Sequence, residues 1–394
     1  MVGNRNEKEQ AKASRRPDYW LIGLMLALLV LGLEMVYSAS FVMALEEYGD
    51  VTYFVTRQAM WAGVGLVLFL IFARLDYQLL RRTSALVMLT AMIGLVIVFV
   101  PPFGTTIYGA TRWLRLGSLP PVQPSEFAKL ASIIYISAWL AGKGEKLKHF
   151  SAGFVPFVLI VGTVAGLVLL QPDLGTTVVI SLTAVTIFFV AGAELHHLIL
   201  LAAAGSVAGF QFLVGSGYRQ VRWQSFVDPW KEPQGYGFHI IQSLIALGSG
   251  GWAGLGLGAS RQKFFYVPGS HTDAIFAIIG EELGFLGCLT VILLFAGFAY
   301  RGFKIALTAP DRFGRFLAIG ITCWIVYQAL INIGGITKSI PFTGIPLPFI
   351  SSGGSSLAAT MAATGVLVGI SRYCEPSRSL LRKRTTRRVA QGTG

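Results

Sequence analysis

Carboxylates at the mouth of an apolar helix are the first chemistry this sequence offers. From Arg261 to Gly287 it reads RQKFFYVPGSHTDAIFAIIGEELGFLG, a polar, aromatic loop that turns into a long apolar run. His271, Thr272 and Asp273 stand at the junction, with Glu281 and Glu282 further in. An ionised group carried to the bilayer centre costs roughly 2.5–3.5 kcal/mol on insertion scales, so something must compensate for these. Two readings stand level. In one, the junction is a reaction site. In the other, Thr272 or Asp273 caps the helix N-terminus.

Further polar groups lie beside other apolar runs. In Gln123-Pro124-Ser125-Glu126-Phe127-Ala128-Lys129, Ser125 suits an N-cap and Glu126 sits on the positive end of the helix dipole. Lys129 is three residues on and within reach of Glu126. The pair reads either as a structural ion pair or as the lining of a polar cavity. The shortness of this run favours the cavity, because its charges need water or protein around them. Asp173, in the turn Gln171-Pro172-Asp173, is a natural N-cap for the run that follows. In KSIPFTGIPLPFISSGGSS, from Lys338 to Ser356, three prolines forbid regular helix. Ser351, Ser352, Ser355 and Ser356 offer hydroxyls for an anion at the start of the last run. The cations Arg112, Arg115, Arg219, Arg222, Arg261 and Lys263 read either as lipid-headgroup contacts or as a cradle for a pyrophosphate. His196-His197 has no carboxylate or Cys pattern nearby and reads as structural.

The elements that must position these groups are membrane helices. The chain is 54% hydrophobic and 13% charged, with mean hydropathy +0.64, which no soluble domain of 394 residues has. The net charge of +13 does not signal nucleic acid, because the basic residues sit in short segments between apolar runs. Cys288, Cys323 and Cys374 form no pair in a polar loop, so neither a disulfide framework nor a zinc site is expected. Ten runs approach bilayer length: 19–41, 54–73, 83–101, 125–141, 152–170, 174–193, 197–215, 272–300, 316–336 and 354–371. The first is too long for a signal h-region and is expected to stay uncleaved. Lys and Arg crowd the segments 1–18, 74–82, 142–151, 301–315 and 372–394, which places both termini in the cytoplasm. The glycine-broken apolar run 239–258 would invert this pattern if it crossed. It is therefore placed within one large outer loop, 216–271, as an amphipathic or re-entrant segment. The expectation is an all-α polytopic membrane protein. It has a basic cytoplasmic N-terminus (1–18), a domain of about ten transmembrane helices (19–371) and a basic tail (372–394) near anionic lipid.

Taken together, GATRWLRLG (109–117), QPSEFAKL (123–130), QPDLGTT (171–177), GYGFHIIQSLIALGSGG (235–251), HTDAIFAIIGEELG (271–284) and TGIPLPFISSGGSSL (343–357) resemble the SEDS family. Its members are the polytopic glycosyltransferases of bacterial cell-wall synthesis. The resemblance spans nearly the whole chain, and GLGLGASRQKFFYVP (254–268) is similar to the FtsW/SpoVE branch rather than RodA. Two departures stand out: the family carries an aromatic at Ala274 and a Tyr at Ser352. The resemblance implies polymerisation of lipid II into β-1,4 glycan strands at the outer face of the cytoplasmic membrane, for septal wall synthesis. It implies Asp273 as the catalytic carboxylate. The leaving pyrophosphate needs positive charge, from Arg, Lys or a divalent ion such as Mg²⁺ or Mn²⁺. The candidates to bind substrate are Arg112, Glu126, Lys129, Asp173, Arg261, Lys263, His271, Lys338, Ser351 and Ser355. The implied partners are a class B penicillin-binding protein, which is a transpeptidase, and other division proteins. Two rivals remain: a transporter that flips lipid II through the same cavity, and a scaffold for a division complex. A scaffold would leave the clustered outer polar residues unexplained.

Overall fold

Each apolar run folds as a helix, because in hydrocarbon the backbone must satisfy its own hydrogen bonds. The computed structural model describes residues 16–107, 110–115, 117, 120–214 and 217–374, without the side chains of 107, 208–220 and 222. In chain order the helices are α1 (Tyr19–Tyr48), α2 (Tyr53–Arg74), the short α3 (Tyr77–Arg82), α4 (Ser84–Ile97) and α5 (Pro124–Lys143). Next come α6 (Val155–Leu170), α7 (Leu174–Val190), α8 (Leu195–Val214), α9 (Gly217–Val227) and α10 (Phe238–Ser249). The last three are α11 (Ile275–Thr308), α12 (Arg312–Ile336) and α13 (Gly354–Ser371). All but α3, α9 and α10 coincide with the ten apolar runs. Among the described residues six helices are long and apolar enough to cross a membrane by length and composition, and others are shorter.

The all-α expectation misses one feature. Between α4 and α5 a small antiparallel hairpin forms from β1 (Gly104–Ile107) and β2 (Ala110–Leu114). Within the 216–271 region α9 and α10 are helical and the stretch after α10 is irregular. At 12 residues α10 spans roughly 18 Å, too short for a bilayer.

The centre of the bundle is α13. Every residue from 355 to 371 is buried, and the helix packs chiefly against α2. Small side chains make this possible. A Cβ at Gly365 would lie 2.5 Å from the Phe69 carbonyl oxygen, so the two backbones touch there. Beside it, the largely buried α12 packs against α11, α7 and α5.

The glycine-rich stretch after α10 has a specific job. At Gly284 α11 leaves helical geometry (φ 67°, ψ −163°), which only glycine adopts cheaply. Segment 250–256 fills the break. Leu255 N–H donates to the Glu281 carbonyl (2.9 Å) and Gly256 N–H to the Glu282 carbonyl (3.0 Å). In return Phe285 N–H donates to the Gly251 carbonyl (2.9 Å). The irregular backbone is thus buried in protein and satisfied, as membrane depth requires.

Candidate functional site

The kink anchors the loop that carries the HTD turn. Glu281 and Glu282 stand just before Gly284 and clamp residues 260–263. Glu281 accepts from the Arg261 N–H (2.9 Å), the Gln262 N–H (3.3 Å) and the Ser260 hydroxyl (2.5 Å). Glu282 accepts from Ser38 (2.6 and 2.8 Å) and pairs with Lys263 Nζ at 2.9 Å. Both side chains of that ion pair are fully buried. The expected cationic cradle loses a member here, since the Lys263 charge is spent on Glu282 and the Gly258 carbonyl. Arg261 remains exposed.

Asp273 does not cap α11. The N-cap is Ala274 and makes no side-chain cap bond, so the capping alternative fails on geometry. The HTD residues form a separate turn closed by Ala274 N–H to the Gly269 carbonyl (3.1 Å). The Asp273 carboxylate is half-buried and accepts from the Thr272 hydroxyl (2.9 Å). Asn332 of α12 fixes the backbone by donating to the Asp273 carbonyl (2.7 Å).

The same turn is bonded to the walls of a cleft of about 180 Å³ at this end of the bundle. Phe54, Arg57, Gln58 and Trp61 of α2, Trp113 of β2, and residues 352–354 at the start of α13 line it. Phe54 packs on the His271 ring at 4.4 Å, and Ser352 N–H donates to the His271 carbonyl (2.9 Å). Asp273 is beside the cleft through this turn rather than among its lining residues. Gln58 donates to the Ser351 carbonyl (3.0 Å) and holds the floor. Arg57 is exposed, with its guanidinium 4.4 Å over the Tyr53 ring. The sequence reading missed it because it lies inside the second apolar run. A charge inside a span is itself the signal that could have found it.

Several sequence-chosen residues gather at this end but are already engaged. Arg112 Nε donates to the Gln171 carbonyl (2.9 Å) and its Nη2 to the Pro172 carbonyl, pinning the hairpin to that turn. Asp173 caps α7 through the Thr176 N–H (3.1 Å) and accepts from Gln123 (3.1 Å). The Ser351 hydroxyl accepts from the Leu347 N–H (2.8 Å) and the Ser355 hydroxyl from the Gln123 N–H (3.3 Å). Lys338 follows α12 in a left-handed conformation (φ 56°). Arg115 is exposed, and the side chains of Arg219 and Arg222 lie outside the described residues. Ser125 is not the cap of α5; Gln123 takes that place, with Pro124 at the first helical position.

Glu126 and Lys129 form an ion pair at 2.9 Å, both buried. Lys129 also donates to Gln328 Oε1 (2.6 Å) and stands 5.0 Å from the Trp324 ring centre. The open cavity expected around the pair is not there. The void beside Lys129 measures about 10 Å³, roughly one water. His196 and His197 pack on each other at 4.0 Å, at the opposite end of α7 from Asp173, and His196 Nδ1 lies 3.1 Å from Glu194, a carboxylate that the sequence reading overlooked. Among the described residues no three His, Cys, Asp or Glu side chains gather as a metal site.

Burial shapes the chemistry of His271, which lies in the loop ahead of α11. Desolvation pushes its pKa down to about 4. The unfolded chain therefore takes up the imidazole proton near pH 6.5, before the folded one does. Stability is full above that pH and falls as pH drops towards 4, by roughly 3 kcal/mol at the end of the window. The thermal midpoint of purified protein should fall between pH 6.5 and 4.5, and His271→Phe should flatten that slope. An identical slope in the variant would remove His271 as the cause.

Comparison with known proteins places this architecture. Residues 19–375 match the FtsW/RodA/SpoVE family, described as "Cell cycle protein". The chain is 46% identical to Stage V sporulation protein E of Bacillus subtilis over 91% of its own length and 97% of that protein's. It is 41% identical to the probable peptidoglycan glycosyltransferase FtsW of Trichlorobacter lovleyi, over 90% and 93%. A solved chain from a peptidoglycan synthase complex that coordinates polymerization and crosslinking superposes with a TM-score of 0.76. It is 29% identical, over 90% of this chain and 98% of that one. The rod shape determining protein RodA of Thermus thermophilus superposes with a TM-score of 0.67 at 27% identity, over 92% and 98%. The chain, its helices and its motif-bearing loops belong to the FtsW/RodA/SpoVE family of polytopic membrane proteins.

Proposed function

We propose that this protein polymerises lipid II into β-1,4 glycan strands at the outer face of the cytoplasmic membrane, for septal wall synthesis, with Asp273 as the general base. The observation that carries the reading is the Asp273 carboxylate. It is half-buried, free of any capping duty and set on a turn hydrogen-bonded to the cleft wall at Ser352. In the reaction, the 4-hydroxyl oxygen of the acceptor sugar attacks C1 of the donor from the face opposite the pyrophosphate. The C1–O bond breaks, its electron pair leaves with the polyprenyl pyrophosphate, and the hydroxyl proton passes to Asp273. One attack inverts the α-linked donor to a β-linked product. Arg57 is the nearest open cation on the cleft wall to meet the departing charge. The polyprenyl tails stay in the bilayer throughout. Purified protein given labelled lipid II should produce glycan ladders. Movement of lipid II across vesicles without ladders would replace this reading with a flippase.

The orientation follows from the Lys/Arg asymmetry, which sets the cleft end of the bundle outside. A reporter fused after Arg388 should read cytoplasmic and one inserted near Gly235 should read exterior. The opposite pattern would overturn the assignment. Several family relatives are named probable peptidoglycan glycosyltransferase, and a solved neighbour comes from a complex that coordinates polymerization and crosslinking. This supports a class B penicillin-binding protein as partner, within a larger division assembly. Ladder formation should rise when that transpeptidase is co-purified, and equal activity with and without it would argue against such regulation.

A further inference from the structure

At the end of the bundle opposite the cleft lies a larger cavity, about 270 Å³, where α5 and α7 finish and α12 begins. Its volume is roughly 27 times that of the single-water void beside Lys129, enough for a phosphate ester with part of its glycerol. Lys148, Arg312 and Arg315 stand around it with one carboxylate, Glu145, over an apolar floor that includes Leu140 and Phe316. Glu145 is already paired with Lys148 at 2.9 Å. The Asp311 carboxylate is taken up by the Gly314 N–H (2.6 Å), the Tyr77 hydroxyl (2.9 Å) and Gln78. That leaves the two arginines. Both are exposed, and among the described residues neither side chain makes a hydrogen bond or ion pair.

Their position works against the helix they belong to. Arg312 and Arg315 occupy the first turn of α12, where the backbone dipole is already positive and cations are disfavoured. Asp311 already caps the helix N-terminus, so what the hollow presents is the charge of two exposed guanidiniums, which an anion relieves. The apolar floor adds a second requirement, since a fully hydrated free anion gains nothing from Leu140 and Phe316. Both requirements are met by one ligand class. We propose that this cavity seats the headgroup phosphate of an anionic phospholipid from the adjoining leaflet. Arg312 and Arg315 grip its oxygens, and its glycerol and upper acyl carbons lie on the apolar floor. The Lys/Arg asymmetry makes that leaflet the inner one, but binding in detergent does not depend on the orientation. Nor does it involve Asp273, so the site stands or falls apart from the polymerase reading.

The test is native mass spectrometry of the purified full chain in uncharged detergent. It is offered phosphatidylglycerol, phosphatidylcholine or inorganic phosphate in turn. Phosphatidylglycerol adducts should persist at activation energies that strip phosphatidylcholine. The double variant R312Q/R315Q should lower phosphatidylglycerol retention about tenfold or more while eluting and melting like wild type without lipid. The double lysine variant should keep part of the retention, as charge without the guanidinium fork does. If R312Q/R315Q does not purify, R315Q alone is read in the same way. The proposal is overturned by undiminished phosphatidylglycerol retention in the variant, or by equal retention of the two lipids. Retention of inorganic phosphate without preference for phosphatidylglycerol also overturns it.

Discussion

Asp273→Asn should abolish nearly all glycan-strand formation while leaving the protein folded. Amide for carboxylate keeps the size and shape, and Asn can still accept the bond from the Thr272 hydroxyl. No helix cap is lost, because Ala274 holds that position. The Asn332 grip on the residue 273 carbonyl is a backbone bond and survives. What disappears is the proton acceptor, and general-base catalysis typically contributes ~10²–10⁴-fold in rate. Glu281 cannot substitute. It lies six residues past Ile275, roughly 9 Å further along α11. Its carboxylate is bound by the amides of Arg261 and Gln262 and by Ser260. The measurement is polymerisation of labelled lipid II by wild type and variant at matched folded concentration, with melting curves alongside. Near-wild-type ladders from a folded Asp273→Asn protein would take Asp273 out of the mechanism.

The sequence carried the large elements because they rest on local physics. A run of apolar residues in lipid has one backbone solution, so the ten runs and their helices coincide. Asp173 followed by a helix-forming run reads as a cap without any knowledge of the fold, and it is one. Glu126 and Lys129 are one turn apart, so their pairing also follows from spacing. The misreadings share a different cause. The partner of Lys263 is Glu282, nineteen positions away, brought near by the break at Gly284, and no local rule joins them. Arg112 likewise finds the carbonyls of Gln171 and Pro172 only once the α6–α7 turn has packed beside α4 and the hairpin. The void beside Lys129 is small because α5, α7 and α12 close around it, which spacing within α5 cannot reveal. Two misses had local signals that went unused: the proline after Gln123, which marks the first turn of α5, and the lone charge of Arg57 inside an apolar run.

The non-local pairing gives the second large effect. Lys263→Met should remove the ammonium paired with the buried Glu282 carboxylate. Breaking a buried ion pair by deleting one partner typically costs about 3–5 kcal/mol, because the remaining charge has no compensation. Ser38 and the Ser260 amide would still donate to Glu282, but neither cancels its charge. The loop from residue 258 to 271 would lose its anchor, and with it the frame of the HTD turn. The expected result is a large drop in folded yield and thermal midpoint, with polymerase activity falling alongside. A role in gripping substrate predicts something else: a well-folded Lys263→Met protein with a raised KM. The double variant K263M/E282Q separates the two. Gln at 282 keeps a side-chain oxygen for Ser38 and for the Ser260 amide but carries no charge, so removing both partners should restore most of the lost stability. If the double variant melts as low as Lys263→Met alone, charge compensation of Glu282 is not what Lys263 supplies.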